Sequence, residues 1–114
     1  MPHIFYEIKW AWQRVFRGYD DRWRWSLCDS LAKVVAENIE WLKEHHSSCP
    51  ADLYDTSKPD EECHQWTEIL ETIKQGFDAF MEMQECSGEE YQALKKKYDK
   101  GMELFAKYFA DLWD

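Results

Sequence analysis

The 114-residue sequence predicts an all-α protein, a small four-helix bundle-like domain spanning residues 1–114 and completed by oligomerisation. Three observations predict it. Apolar residues recur at offsets of three and four in four separate stretches, as amphipathic helices require. No stretch alternates apolar and polar residues with period two for long enough to make a strand. A chain of 114 residues supplies one core, marginal on area alone, so its aromatic stripes are expected to bury against other subunits too.

The first helix is predicted over residues 3–17, with Ile4, Phe5, Ile8, Trp12, Val15 and Phe16 as its core-facing stripe. Gly18 stops it, because glycine tolerates the left-handed conformation that ends helices. Tyr19-Asp20-Asp21-Arg22 reads as a loop. Ser26 with Asp29 has the spacing of a capping box and starts the second helix, about 27–44. Leu27, Leu31, Val34, Val35, Ile39 and Leu42 form the second stripe. Residues 47–59 hold Pro50, Pro59 and several turn formers and make the longest loop. The third helix runs from about 60 to 85, with Glu61 and Glu62 in the first turn, where the helix dipole favours anions. Trp66, Ile69, Leu70, Ile73, Phe77, Phe80 and Met81 are its stripe. Ser87 and Glu90 mark a break and restart. The fourth helix, about 89–113, lines up Tyr91, Leu94, Tyr98, Met102, Phe105, Phe109 and Leu112. Trp10 and Trp41 lie off their stripes and are expected at an interface.

Charge is distributed unevenly. The chain carries 23 acidic and 14 basic residues, a net of −9. All four Arg fall between positions 14 and 24, and four of the seven Trp (10, 12, 23 and 25) sit in the same neighbourhood. Residues 1–25 hold five basic groups against three acidic, a net of +2, which leaves nine against twenty, or −11, in the remainder. An acidic average excludes a general nucleic-acid coat, since no positive field holds a long polyanion. Seventeen per cent aromatic content excludes an acidic disordered chain. No apolar run approaches a membrane span. Met1-Pro2-His3-Ile4-Phe5-Tyr6-Glu7 lacks the basic and apolar regions of a secretory signal.

The Arg- and Trp-rich patch is the candidate ligand site. Guanidinium groups bind phosphate oxygens through paired donors, and aromatic faces stack on bases. Arg14, Arg17, Arg22 and Arg24 are the expected phosphate contacts, and Tyr19, Trp23 or Trp25 the stacking partners. The opposing reading pairs the same arginines with Asp20, Asp21 or a neighbouring helix and places the tryptophans in the core.

Other chemistry is weakly signalled. His45, His46, Cys49, Cys63 and His64 bracket the long loop, but no CxxC pair is present, so zinc, a Cys49–Cys63 disulfide and idle thiols all remain open. We expect no metal and no cofactor. A di-iron bundle needs two ExxH motifs, and only Glu61 with His64 occurs. There is no GxSxG and no glycine-rich phosphate loop, so no catalytic residue is assigned. Lys95-Lys96-Lys97 with Lys100 is flanked by acids and reads as a solvated face.

The stretch Trp12-Gln13-Arg14-Val15-Phe16-Arg17-Gly18-Tyr19-Asp20-Asp21, then Trp25-Ser26-Leu27 and Leu31-Ala32-Lys33, resembles a group of small uncharacterised proteins encoded by tailed bacteriophages. Those proteins carry a WQR–RG(Y/F)–D segment, then WSL, then a helix with an AK pair. Glu62-Cys63-His64-Gln65-Trp66-Thr67-Glu68-Ile69-Leu70 resembles their later Trp-containing segment. The similarity covers about the first two-thirds of the chain. Cys28 stands where the group carries an acidic residue after WSL.

The resemblance implies a phage accessory protein in the cytoplasm of an infected bacterium. With the Arg/Trp patch, it leads us to expect a non-enzymatic homo-oligomer that sequesters a small phosphorylated ligand, a cyclic or modified nucleotide of host defence. The alternatives are an acidic inhibitor that binds a host protein by imitating nucleic acid, with Trp anchors, and a virion assembly component. No long nucleic acid and no membrane are expected as partners.

Overall fold

A computed structural model describes residues 2–46, 49, 50, 53 and 59–113, with side chains over 4–46, 49, 50, 53 and 64–113. The chain is all-α, as predicted. Helix α1 spans Pro2–Arg17, α2 Leu27–His45, α3 Pro59–Met83 and α4 Gly88–Tyr108. Short 3₁₀ turns follow α1 at Asp21–Arg24 and α4 at Phe109–Asp111. No strand occurs among the described residues. Most of the predicted 47–59 loop lies outside them.

The chain divides into two compact units, Met1–Leu31 and Ala32–Asp114. In the larger unit, Ala32, Ala36 and Ile39 of α2 join Trp66, Leu70, Ile73 and Phe77 of α3 and Tyr108 of α4 in one buried cluster. The α3 stripe is therefore buried or half-buried as predicted. The α2 stripe is rotated from its expected phase: Ala32 and Ala36 are buried, whereas Leu27, Leu31 and Val34 are exposed. The small side chains of Ala32 and Ala36 are covered by that cluster, while the bulkier Leu31 and Val34 beside them stay outside. Lys43 reinforces this contact from its edge, 2.6 Å from Glu71 of α3 and 3.1 Å from Glu40.

Helices α3 and α4 run antiparallel, as their short connection requires. Trp66 meets Tyr108 edge-on at 5.5 Å, Phe77 meets Phe105 at 5.1 Å, and Phe80 meets Tyr98 at 5.6 Å. Between these aromatic layers, Gly76 and Gly101 bring the two backbones into direct contact. A Cβ on Gly101 would lie 2.6 Å from the Gly76 Cα. At the C-terminal end Tyr108, not the predicted Phe109, enters the core: it is the last residue of α4 and stands three residues after Phe105 and seven after the buried Gly101, on the same helix face, whereas Phe109 is exposed. Ser87 occupies the N-cap position of α4 in extended conformation, but its side chain makes no capping hydrogen bond, contrary to the predicted box.

In the smaller unit, Pro2 opens α1 at the first helical position, where its missing N–H costs nothing. Gly18 closes the helix at φ +82°, and its N–H reaches the Arg14 carbonyl at 3.0 Å. The chain then turns back through Asp21–Arg24 against α1 and enters α2, where the Ser26 hydroxyl donates to the Asp29 carboxylate.

Candidate functional site

The Arg/Trp segment folds into a tight electrostatic clasp around two carboxylates. Asp20 is only 2 % exposed and is the one buried charged residue among those described. Its Oδ1 accepts from the Arg22 backbone N–H at 3.0 Å, which caps the 3₁₀ turn, and from Arg22 Nε at 3.2 Å. Its Oδ2 accepts from Arg14 Nη1 at 2.8 Å and Arg22 Nη2 at 2.9 Å. The Arg22 hydrogen bond, helped by Arg14 and opposed by burial, holds the Asp20 carboxyl well below the ordinary carboxylate range. Asp21 accepts from Gln13 at 2.8 Å and Arg17 at 3.1 Å, with Lys9 at 3.3 Å. Those bonds, led by Gln13, lower its pKa to about 2. The Asp21 N–H donates to Gln13 Oε1 at 2.8 Å, so Gln13 both gives to and receives from that residue.

Aromatic rings complete the clasp. The Arg22 guanidinium lies 4.4 Å from the centre of the Trp10 ring. Trp10 also stacks on Tyr6 and meets Trp25 edge-on at 5.6 Å. Arg17 covers Tyr19 at 4.7 Å, and Tyr19 tilts against Trp23 at 5.9 Å.

The expected site residues are thus brought together, but mostly by one another. Arg14, Arg17 and Arg22 are engaged by internal carboxylates. Tyr19 and Trp23 pack within the clasp. Trp25 touches Trp10 while staying 71 % exposed. Arg24 is exposed and is the arginine for which no partner occurs among the described residues. A shallow cleft of about 260 Å³ lies between Asp20, Arg22, Trp23 and Ser30, and its polar wall is the satisfied Asp20–Arg22 pair. Trp10, expected at an interface, is half-buried among the rings of Tyr6 and Trp25.

What sequence reasoning placed in the core lies outside it. The clasp engages the Tyr6, Trp10, Gln13, Arg14 and Arg17 side of α1. The stripe points the other way, and Ile4, Phe5, Ile8, Trp12, Val15 and Phe16 are each 52–77 % exposed. Trp12 and Phe16 stack on each other at 5.0 Å on that outer face. Three aromatic side chains of about 150–250 Å² each, mostly exposed, already approach the few hundred Å² of apolar patch that a monomer ordinarily shows. Ile4, Ile8 and Val15 extend it. The signal was in the sequence: Asp20 and Asp21 follow a helix whose arginines lie opposite its apolar stripe, and that charge pattern decides which face the returning chain covers.

Elsewhere the candidates are sparse. Among the described residues no group of three His, Cys, Asp or Glu side chains could hold a metal ion. The Cys63 side chain, and with it the loop-bracketing zinc or disulfide reading, lies outside the described residues, whereas Cys28 and Cys86 are free thiols. His46 shares a hydrogen bond with the Thr67 hydroxyl at 2.9 Å, and His45 with the Trp41 carbonyl at 2.9 Å. Lys95 bonds Asp99 at 3.0 Å, in keeping with a solvated face. Among the described residues no helix is long and apolar enough to cross a membrane. No family model, curated protein or solved structure matches the chain.

Proposed function

We propose that the protein is a non-enzymatic binding module that acts stoichiometrically, by docking the outer face of α1 on a protein surface. One observation carries this reading. Six large apolar residues form a continuous face on a helix whose opposite side is held in place by the Asp20 and Asp21 ion pairs. A preorganised apolar helix face is the element that helix-in-groove recognition uses, read out at offsets of three and four. The phage resemblance supplies the setting: an accessory protein in an infected bacterium, binding rather than turning over.

Hydroxyl-radical footprinting of the chain in expressing cells, against the purified chain at high dilution, tests the reading. Trp12 and Phe16 are expected to be protected in cells, while Trp41, an exposed tryptophan on α2, stays reactive in both. Equal oxidation of Trp12 in both states refutes it.

A second reading keeps the small phosphorylated ligand. Arg24 and the outer face of Trp25 are the parts of the Arg/Trp segment left over from the clasp, and they are adjacent in sequence. In this reading Arg24 engages phosphate and Trp25 stacks on a base. Calorimetry against cyclic di- and trinucleotides and ADP-ribose derivatives decides it: heat that disappears in Arg24→Ala supports it, and no heat from the intact chain refutes it.

A further inference from the structure

The outer face of α1 has an internal symmetry. Its six exposed residues stand at positions 4, 5, 8, 12, 15 and 16, a pattern that reads the same in both directions about position 10. A second α1 laid antiparallel on the first sets Ile4 against Phe16, Phe5 against Val15 and Ile8 against Trp12. Every such pair joins an aromatic ring to a β-branched aliphatic side chain. Large therefore meets small in each layer, the condition for interdigitated packing. Phe5, Ile8, Trp12 and Val15 also keep the 3-4-3 spacing of a coiled-coil seam, with Ile4 and Phe16 flanking it.

We propose that the occupant of this face is the α1 of a second copy of the chain, in an antiparallel two-fold dimer. The proposal rests on the reading of α1 as a docking face and names its partner. Four observations support a dimer seam on this face, and the first of them favours a copy over another protein. The residue types are complementary under reversal, and an isologous interface demands that of a single patch. The patch is on the order of the 800 Å² that each partner of a standard interface contributes. The Trp12–Phe16 stack at 5.0 Å fixes two of the largest side chains before association. Finally, no charge interrupts the seam, and Lys9 at its rim carries its own counter-charge in Asp21 at 3.3 Å.

Analytical ultracentrifugation of the intact chain, combined with cross-linking, tests the proposal. The expected result is a reversible species of twice the 13.8 kDa chain mass, converted to monomer by Ile8→Glu with helical circular dichroism unchanged. Because Ile8 is exposed in the single chain, the substitution leaves the fold intact; Val15→Asp repeats the measurement at the other end of the seam. Disulfide formation requires Cα atoms about 4.4–6.8 Å apart. On a Cys28→Ser background, an equimolar mixture of Ile8→Cys chains and Trp12→Cys chains is expected to give, on oxidation, a covalent dimer that joins one of each, with no bridge possible inside either chain's α1. Phe5→Cys alone is not, since the two copies of position 5 lie about 15 Å apart along the axis. Cross-linking by Phe5→Cys makes the pairing parallel and overturns the proposal. A chain that stays monomeric at every concentration overturns it as well, while leaving α1 free to dock on a different protein. A dimer untouched by Ile8→Glu associates elsewhere and overturns this proposal, while the footprint of Trp12 and Phe16 still decides the reading beneath it.

Discussion

Asp20 gathers two guanidinium groups and a backbone N–H on one carboxylate, within a unit that buries no other charge among the described residues. Neutralising it removes a turn cap, frees Arg14 and releases Arg22 from its place over Trp10. Asp20→Ala is therefore expected to disorder residues 1–31 while the larger unit keeps its melting transition. Near-ultraviolet circular dichroism reports the loss through Trp10 and Trp25. The same change is expected on acidification, with a definite sign. Both carboxyl groups titrate below their ordinary value near 3.8, Asp21 at about 2 and Asp20 lower still. Their contribution is complete above the ordinary value and is lost as pH falls from about 4 towards and below 2. A tryptophan signal that stays constant between pH 5 and pH 2, or an Asp20→Ala chain with the native spectrum, contradicts this account.

At the scale of the element, Gly76 and Gly101 set how closely α3 and α4 approach. On an open helix face Gly→Ala gains about 1 kcal/mol in helix propensity. Here the added Cβ would lie 2.6 Å from a backbone Cα, which only a shift of the helices can relieve. Overpacking of a close-packed interior costs about 1–3 kcal/mol, so the clash outweighs the propensity. Gly101→Ala is expected to lower the thermal midpoint of the larger unit, and a raised midpoint would falsify the close approach.

The elements also differ in how legible they were. The α3 stripe from Trp66 to Met81 is buried where its periodicity placed it, because a long helix packed on two sides leaves one solution for its apolar face. Periodicity equally revealed the apolar face of α1, but it cannot say what covers that face. Ion pairs from Asp20 and Asp21 decided it, and they act on the opposite side of the helix. On α2 the stripe through Leu27, Leu31 and Val34 misses Ala32 and Ala36, since an alanine contributes little hydrophobicity to any pattern even where it is buried. Two glycines inside helical stretches were a readable sign of close packing. The Arg/Trp segment was legible as a cluster, and its alternative pairing with Asp20 and Asp21 was legible too, but sequence alone could not weigh a ligand against an internal partner.

For the whole molecule, the division of charge separates the two functional readings. A net of −11 lies beyond residue 25, and +2 lies before it. Bringing two copies together through an uncharged seam opposes one acidic body to another, at a distance that salt can screen. Raising the ionic strength from about 0.01 M to 0.15 M shortens the Debye length from about 30 Å to about 8 Å. Apolar burial is not weakened over that range, so self-association through α1 is expected to tighten several-fold with salt. A phosphorylated ligand held by Arg24 behaves oppositely, because its attraction to a guanidinium is itself screened. Sedimentation equilibrium of the intact chain at the two salt concentrations reads the sign directly. A dimer constant that strengthens with salt assigns the association to the apolar face, and one that weakens assigns it to charge and removes the α1 seam as its cause.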